Sequence, residues 1–137
     1  MSPIANEIDR SRAENLLGVV GRFRPETAVV ISDGTSAPFR DGSLDAVLVD
    51  APCSGLGALG RRSDARWHIS ESAINRLVST QTALLDEAFR MLRPGGVLSY
   101  SVCTVTRQET IEVSQGFRAS HRELLNLALE GSQWRPL

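Results

Sequence analysis

Short runs of β-branched and aliphatic residues alternate with longer stretches whose apolar residues recur at helical spacing, and few folds accept that order. Val29-Val30-Ile31, Val47-Leu48-Val49 and residues 97–102 read as strands, with residues 3–8 as a further short one. Between them, Ala13, Leu16, Leu17 and Val20 share one helical face. Ile74, Leu77, Val78, Leu84, Leu85, Ala88, Phe89 and Leu92 form a second and stronger face. Strand, crossover helix and strand in repetition build a parallel sheet covered by helices. The expected class is α/β, with strands over 3–8, 27–32, 45–50 and 97–102.

Local signals punctuate that pattern. Ser11-x-x-Glu14 reads as a capping box, and Pro25 stops the helix it opens. Asp33-Gly34 breaks the second strand, and the run 45–50 is apolar enough to be buried on both faces. Pro94-Gly95-Gly96 should end the long helix. Thr106-x-x-Glu109 caps a weaker helix, and a further helical stretch follows His121. Residues 51–72 read as one long loop with glycines at 55, 57 and 60, and loops of that length in a compact domain are usually functional.

The 137 residues make one domain, with no internal boundary. A net charge of −1 leaves no overall footprint for nucleic acid, so an RNA-directed role would need a local basic patch or another domain. All 15 basic residues are arginines, and Arg61, Arg62 and Arg66 cluster in the long loop, as a phosphate clamp or a solvated surface. No stretch approaches the roughly 18 apolar residues of a membrane span. Met1-Ser2-Pro3-Ile4 carries no signal pattern, and two cysteines make no disulfide framework, so a cytoplasmic location is expected. His68 and His121 have no paired cysteines in zinc-site spacing, and no metal is expected.

Both cysteines fall just past strand ends, in Asp50-Ala51-Pro52-Cys53-Ser54-Gly55 and Ser99-Tyr100-Ser101-Val102-Cys103-Thr104. In open α/β sheets that rim is where ligands bind. Pro52 stiffens the turn before Cys53, and Cys103 precedes a capped helix whose amides would favour a thiolate. Asp50 closes a buried strand with an acid, where a carboxylate usually bonds something specific. Taken singly, each residue also has a plain reading: a strand-end cysteine as a small hydrophobe, Asp50 as a turn former, Trp67 and Trp134 as packing. Gly55-x-Gly57-x-x-Gly60 has dinucleotide-loop spacing but no helix opening after it.

The combination is more specific than its parts. Asp50-Ala51-Pro52-Cys53-Ser54-Gly55-Leu56-Gly57 resembles motif IV of the Sun-type (Nop2/Sun) RNA cytosine-C5 methyltransferases. Arg61-Arg62, Trp67, Gln81, Leu84, Leu85 and Leu92-Arg93-Pro94-Gly95-Gly96 follow in the family's order. Tyr100-Ser101-Val102-Cys103-Thr104 is similar to motif VI, and Glu109 falls where an acid commonly follows. Upstream, Ala5-Asn6-Glu7-Ile8-Asp9 with Arg12 resembles motif II, and Asp33-Gly34 motif III. The resemblance spans residues 4–117 and is strongest to the bacterial B-type enzymes that methylate small-subunit ribosomal RNA.

The resemblance implies a Rossmann-like, S-adenosylmethionine-dependent methyltransferase fold. It implies RNA, chiefly ribosomal RNA, as partner. Cys103 would be the nucleophile that adds to cytosine C6, and Cys53 would help break the adduct. Asp50 would bond the base near N3 and lie close to the cofactor. Glu7 would hold the cofactor ribose, and Asp33 would face its adenine. One local departure is Val102, where the family carries threonine; its side chain should point away from that of Cys103.

A larger departure is the Gly-rich first motif with its strand, expected before residue 4, and the strands expected after residue 137. On this reading residues 1–137 are a central part of a catalytic domain, with a sheet lacking its first strand and its C-terminal strands. A non-catalytic Rossmann-like remnant acting as a binding or folding partner is the rival from another class. A DNA cytosine methyltransferase would use its Pro-Cys thiol, here Cys53, as nucleophile. A redox protein fits least, because the cysteines form no Cys-x-x-Cys pair.

Overall fold

The computed structural model describes residues 2–58 and 69–125. Arg61, Arg62, Arg66, Trp67 and His68 lie outside them, as do Gly60, Trp134 and all but the first residues of the helical stretch expected after His121. Residues 121–125 themselves carry a turn and no helix.

The order is β1 (Ile4–Glu7), α1 (Arg10–Phe23), β2 (Ala28–Ile31), a 3₁₀ turn (Gly34–Ser36) and β3 (Leu44–Asp50). A second 3₁₀ turn (Leu56–Ala58), α2 (Glu71–Met91), β4 (Leu92–Ser101), a π turn (Gln108–Glu112) and α3 (Val113–Ser120) complete it. Every pairing is parallel, as the alternation requires: β1 with β2, and β3 with β4. The strands form two two-stranded pairs, and among the described residues no strand joins them.

Helix α1 is capped by Asp9 rather than Ser11. The Asp9 carboxylate accepts from the amide of Arg12 at 2.8 Å, and its carbonyl accepts from Ala13 at 2.9 Å, which starts the helix two residues early. Helix α2 is capped by Ser70 and ends at Met91, earlier than the Pro-Gly-Gly signal suggests. Arg93 precedes a proline and is pushed out of the helical region, so Leu92 is already extended, at φ −76 and ψ 129. The four residues 93–96 then bulge between the pairs Leu44–Leu92 and Ala46–Val97, with Gly95 at φ 76 making the bend. Arg93 ties the bulge to Asp45 at 2.6 Å.

The core lies between the β3–β4 pair and α2 with α3, around Val49, Ala51, Leu85, Ala88, Val113 and Phe117. Strand β3 is not buried on both faces: Val49 is covered, but Leu48 points the other way and is 70% exposed. A strand paired on one edge and covered by helices on one side leaves its alternate residues open. Arg90 fastens the segment entering β3, binding Glu87, Asp41 and the carbonyls of Ala37 and Phe39. Among the described residues no helix is long and apolar enough to cross a membrane.

Candidate active site

The backbone register brings the two cysteines together. Asp50 pairs with Ser101, the amide of Ala51 bonds the carbonyl of Ser101 at 3.0 Å, and both chains leave the sheet side by side. Two residues further on, Cys53 Sγ lies 3.3 Å from Cys103 Sγ, and the amide of Cys103 donates to Cys53 Sγ at 3.2 Å. Both thiols are free, Cys103 exposed and Cys53 half-buried. Burial pushes the Cys53 thiol up, and contact with the Cys103 side chain adds to it, so Cys53 keeps its proton. Val102 packs toward the core while Cys103 faces out, as expected at that position.

Two glycines shape the Cys53 loop. Gly55 sits at φ 69, in the left-handed region that favours glycine. A Cβ there would meet nothing within 4 Å. Gly55→Ala is therefore expected to lower stability by about 1–2 kcal/mol through conformational strain alone, measured by denaturant titration. Gly57 donates its amide to the Cys103 carbonyl at 3.1 Å, and a Cβ on it would stand 3.1 Å from that same oxygen. That close approach holds the two loops against each other.

Beneath the thiols lies a buried polar knot that the reading of the sequence left out of the site. Glu109 is fully buried. Its Oε1 accepts from the Ser54 amide at 2.7 Å and from Gln81 Nε2 at 3.2 Å. Its Oε2 accepts from the hydroxyls of Ser54 at 2.5 Å, Thr106 at 2.7 Å and Thr104 at 3.0 Å. Burial alone would raise the Glu109 carboxyl, but the hydrogen bonds from Ser54, Thr106 and Thr104 outweigh it and hold it below the usual range, so it is ionised. Tyr100 donates its hydroxyl to the Glu109 carbonyl at 2.8 Å, and burial first, then the charge of Glu109, pushes its phenol up to about 12. The signals were the Thr106-x-x-Glu109 spacing, which a capping box explains equally well, and the places of Gln81 and Glu109 in the order of the family motifs.

The carboxylates named from the sequence stand at strand ends. Glu7 closes β1, and its Oε1 accepts from the Asp9 amide at 2.9 Å and pairs with Arg12 at 3.1 Å. The Ser32 amide bonds the Glu7 carbonyl at 3.1 Å, which puts Asp33 on the same rim. Asp33 is exposed and caps the turn after it. The Thr35 amide and hydroxyl, each 2.8 Å from Asp33 Oδ1, hold its carboxyl low. Asp50 is exposed at the end of β3, and among the described residues its carboxylate makes no hydrogen bond or ion pair. Helix α2 links the two rims. Gln81 Nε2 donates to the Pro52 carbonyl at 2.9 Å, and Leu84, one turn along, touches Gly34.

Parallel strands joined by crossover helices, with carboxylates and thiols gathered past their carboxyl ends, define a Rossmann-like α/β domain with a site at its strand-end rim. A profile of the family described as 16S rRNA methyltransferase RsmB/F matches residues 2–134, and the chain belongs to that family. The Erwinia tasmaniensis protein called ribosomal RNA small subunit methyltransferase F is 40% identical over 115 residues, 82% of this chain and 24% of that protein. The Xylella fastidiosa protein called ribosomal RNA small subunit methyltransferase B is 36% identical over 117 residues, 84% of this chain and 28% of that protein. The match thus takes in F and B types together, and the chain spans about a quarter of the length of these relatives.

Among solved structures, that of PH0851 superposes with a TM-score of 0.82 at 30% identity, over 86% of this chain and 27% of the other. The structure of NSun6 from Pyrococcus horikoshii with SFG gives 0.71 at 24% identity over 85% of this chain and 30% of the other, a likeness of fold.

Proposed function

We propose that this chain carries the catalytic centre of an S-adenosylmethionine-dependent RNA cytosine-C5 methyltransferase acting on ribosomal RNA, and that residues 1–137 are part of its catalytic domain. The observation that carries the reading is the thiol pair, 3.3 Å apart past the ends of two paired strands, one thiol exposed and the other half-buried. Family membership supports RNA methylation, and the sulfur geometry supports cytosine C5 as the target. Unpaired RNA bases can be splayed into such a rim.

Cys103 is the nucleophile: its sulfur forms a bond to cytosine C6, and the electrons of the C5–C6 bond move to make C5 nucleophilic. Asp50, exposed and without a partner among the described residues, bonds the base at its N3 edge. Once C5 carries the methyl group, a solvent water takes the C5 proton, the C5–C6 double bond re-forms and the Cys103 sulfur leaves as a thiolate. Cys53, held protonated beside Cys103, returns a proton to the departing sulfur and so assists release. Glu7 and Asp33, each with one carboxylate oxygen fixed by its own turn and the other without a partner among the described residues, fit the ribose and adenine ends of the cofactor. When bound, S-adenosylmethionine supplies the electrophilic methyl group.

Calorimetric titration with S-adenosylmethionine is the first test, and the protein carrying this segment is expected to bind it in the micromolar range. Incubation with small-subunit ribosomal RNA and sequencing for 5-methylcytosine is the second. Cofactor binding with methylation at another atom would remove the cytosine-C5 assignment. Absence of both, in folded protein, would leave a non-catalytic Rossmann-like partner.

A further inference from the structure

We propose that Glu109 is a positioning residue for the thiol pair, acting with Gln81 to set Cys53 and Cys103 opposite each other. The inference rests on the function proposed above and adds to it the device that aligns the two sulfurs. Each cysteine is followed by a residue bound to the same carboxylate: Ser54 through its amide and hydroxyl, Thr104 through its hydroxyl. Cys53 is also held from its other side, because Gln81 Nε2 bridges the Pro52 carbonyl and Glu109 Oε1. Tyr100 pins the Glu109 backbone to β4, so the carboxylate is fixed to the strand that delivers Cys103. The thiols themselves hydrogen-bond neither Glu109 nor Gln81, so both act through their neighbours.

A buried charge is a poor device for stability alone, since a well-packed apolar residue usually does as well or better. Here the five donors converging on Glu109 come from both cysteine loops and from α2, the helix that also reaches the other rim. Gln81 Oε1 is buried with no partner among the described residues, a further sign that this spot is arranged for alignment rather than for economy of polar groups. A π turn opens the segment bearing Glu109, a feature frequent at functional sites.

The test compares Glu109→Ala, Glu109→Gln and Thr104→Val in the full-length protein. One readout is independent of methylation: the rate at which diamide, a thiol oxidant, joins Cys53 and Cys103 into a disulfide, read by mass spectrometry. The other is covalent trapping on RNA containing 5-azacytidine, alongside calorimetric cofactor affinity. In Glu109→Ala, disulfide formation is expected to slow at least about tenfold through lost alignment. Trapping should fall on the order of 10²-fold, the scale set by a shift of about 1 Å. Cofactor affinity should change less than about twofold, which separates positioning from general loosening.

Glu109→Gln keeps an acceptor for the Ser54 amide and is expected to restore much of both rates. Thr104→Val keeps shape and cuts the tie on the Cys103 side only. It should slow both reactions, and it decides the question if Glu109→Ala does not fold. Wild-type disulfide rates in folded Glu109→Ala, or in Thr104→Val where the alanine variant is lost, overturn the proposal even if trapping falls. Slow disulfide formation with unchanged RNA methylation supports the alignment but removes the cysteines from the proposed chemistry.

Discussion

Replacing Cys103 by alanine is expected to abolish methyl transfer and covalent capture of 5-azacytidine RNA, whereas Cys53→Ala should still capture it. The asymmetry follows from the two environments. Cys103 is exposed past the end of β4, and Cys53 is half-buried with its thiol held protonated by burial and by its neighbour. A sulfur that must reach C6 of a base needs the open position. A sulfur that returns a proton needs the other. Loss of a nucleophile typically costs on the order of 10⁴-fold or more in kcat, leaving only what binding and positioning supply.

For Cys53→Ala the adduct should form and persist, because the proton that frees Cys103 has lost its donor 3.3 Å away. Denaturing gels of protein incubated with ordinary ribosomal RNA would then show a slow-moving covalent species absent from the wild type. The reverse pattern, with Cys103→Ala trapping and Cys53→Ala inert, would make Cys53 the nucleophile and reassign the chemistry to the type in which the Pro-Cys thiol attacks.

Strand positions were legible because parallel strands leave a short-range signature: Val29-Val30-Ile31 and Val47-Leu48-Val49 were each found inside a strand, within a residue of the expected ends. Their pairing is parallel for the same reason, since each connection contains a helix. Less was legible where distant residues decide. Asp9 outcompetes Ser11 as a cap because its oxygen reaches the Arg12 amide, a choice between two good capping residues that sequence leaves open. Exposure of Leu48 depends on which strands flank β3, and its apolar character alone suggests the opposite. Convergence of the cysteines was expected from the strand-end rule. Glu109 read as the acid that follows the second cysteine motif and as one of a capping pair, and only the fold brings Ser54, 55 residues away, against it. Buried polar networks are long-range by construction, and no local pattern announces them.

Leu85→Ala is expected to have the largest effect on stability of any single truncation on α2. Leu85 is 2% exposed and belongs to the cluster with Val49, Ala51, Ala88, Val113 and Phe117, which joins the strand pair to both helices. Truncation removes three buried carbons and leaves a cavity that the surrounding elements fill only in part, at about 2–5 kcal/mol. Thr82→Ala, three residues earlier on an exposed position, is the control: it loses one bond to the Val78 carbonyl, gains helix propensity, and should change stability by less than about 0.5 kcal/mol. Denaturant midpoints at constant slope would separate the two. The consequence for chemistry is directional. Leu85 lies one turn beyond Gln81 on α2, and Gln81 is the link from that helix to the Cys53 loop. A loss of packing at Leu85 should therefore slow thiol trapping before it unfolds the protein, with the deficit growing as temperature approaches the midpoint. Equal midpoints for Leu85→Ala and wild type would mean that α2 is not seated on β3 and β4 as described, and that the geometry beneath the cysteines is held by something else.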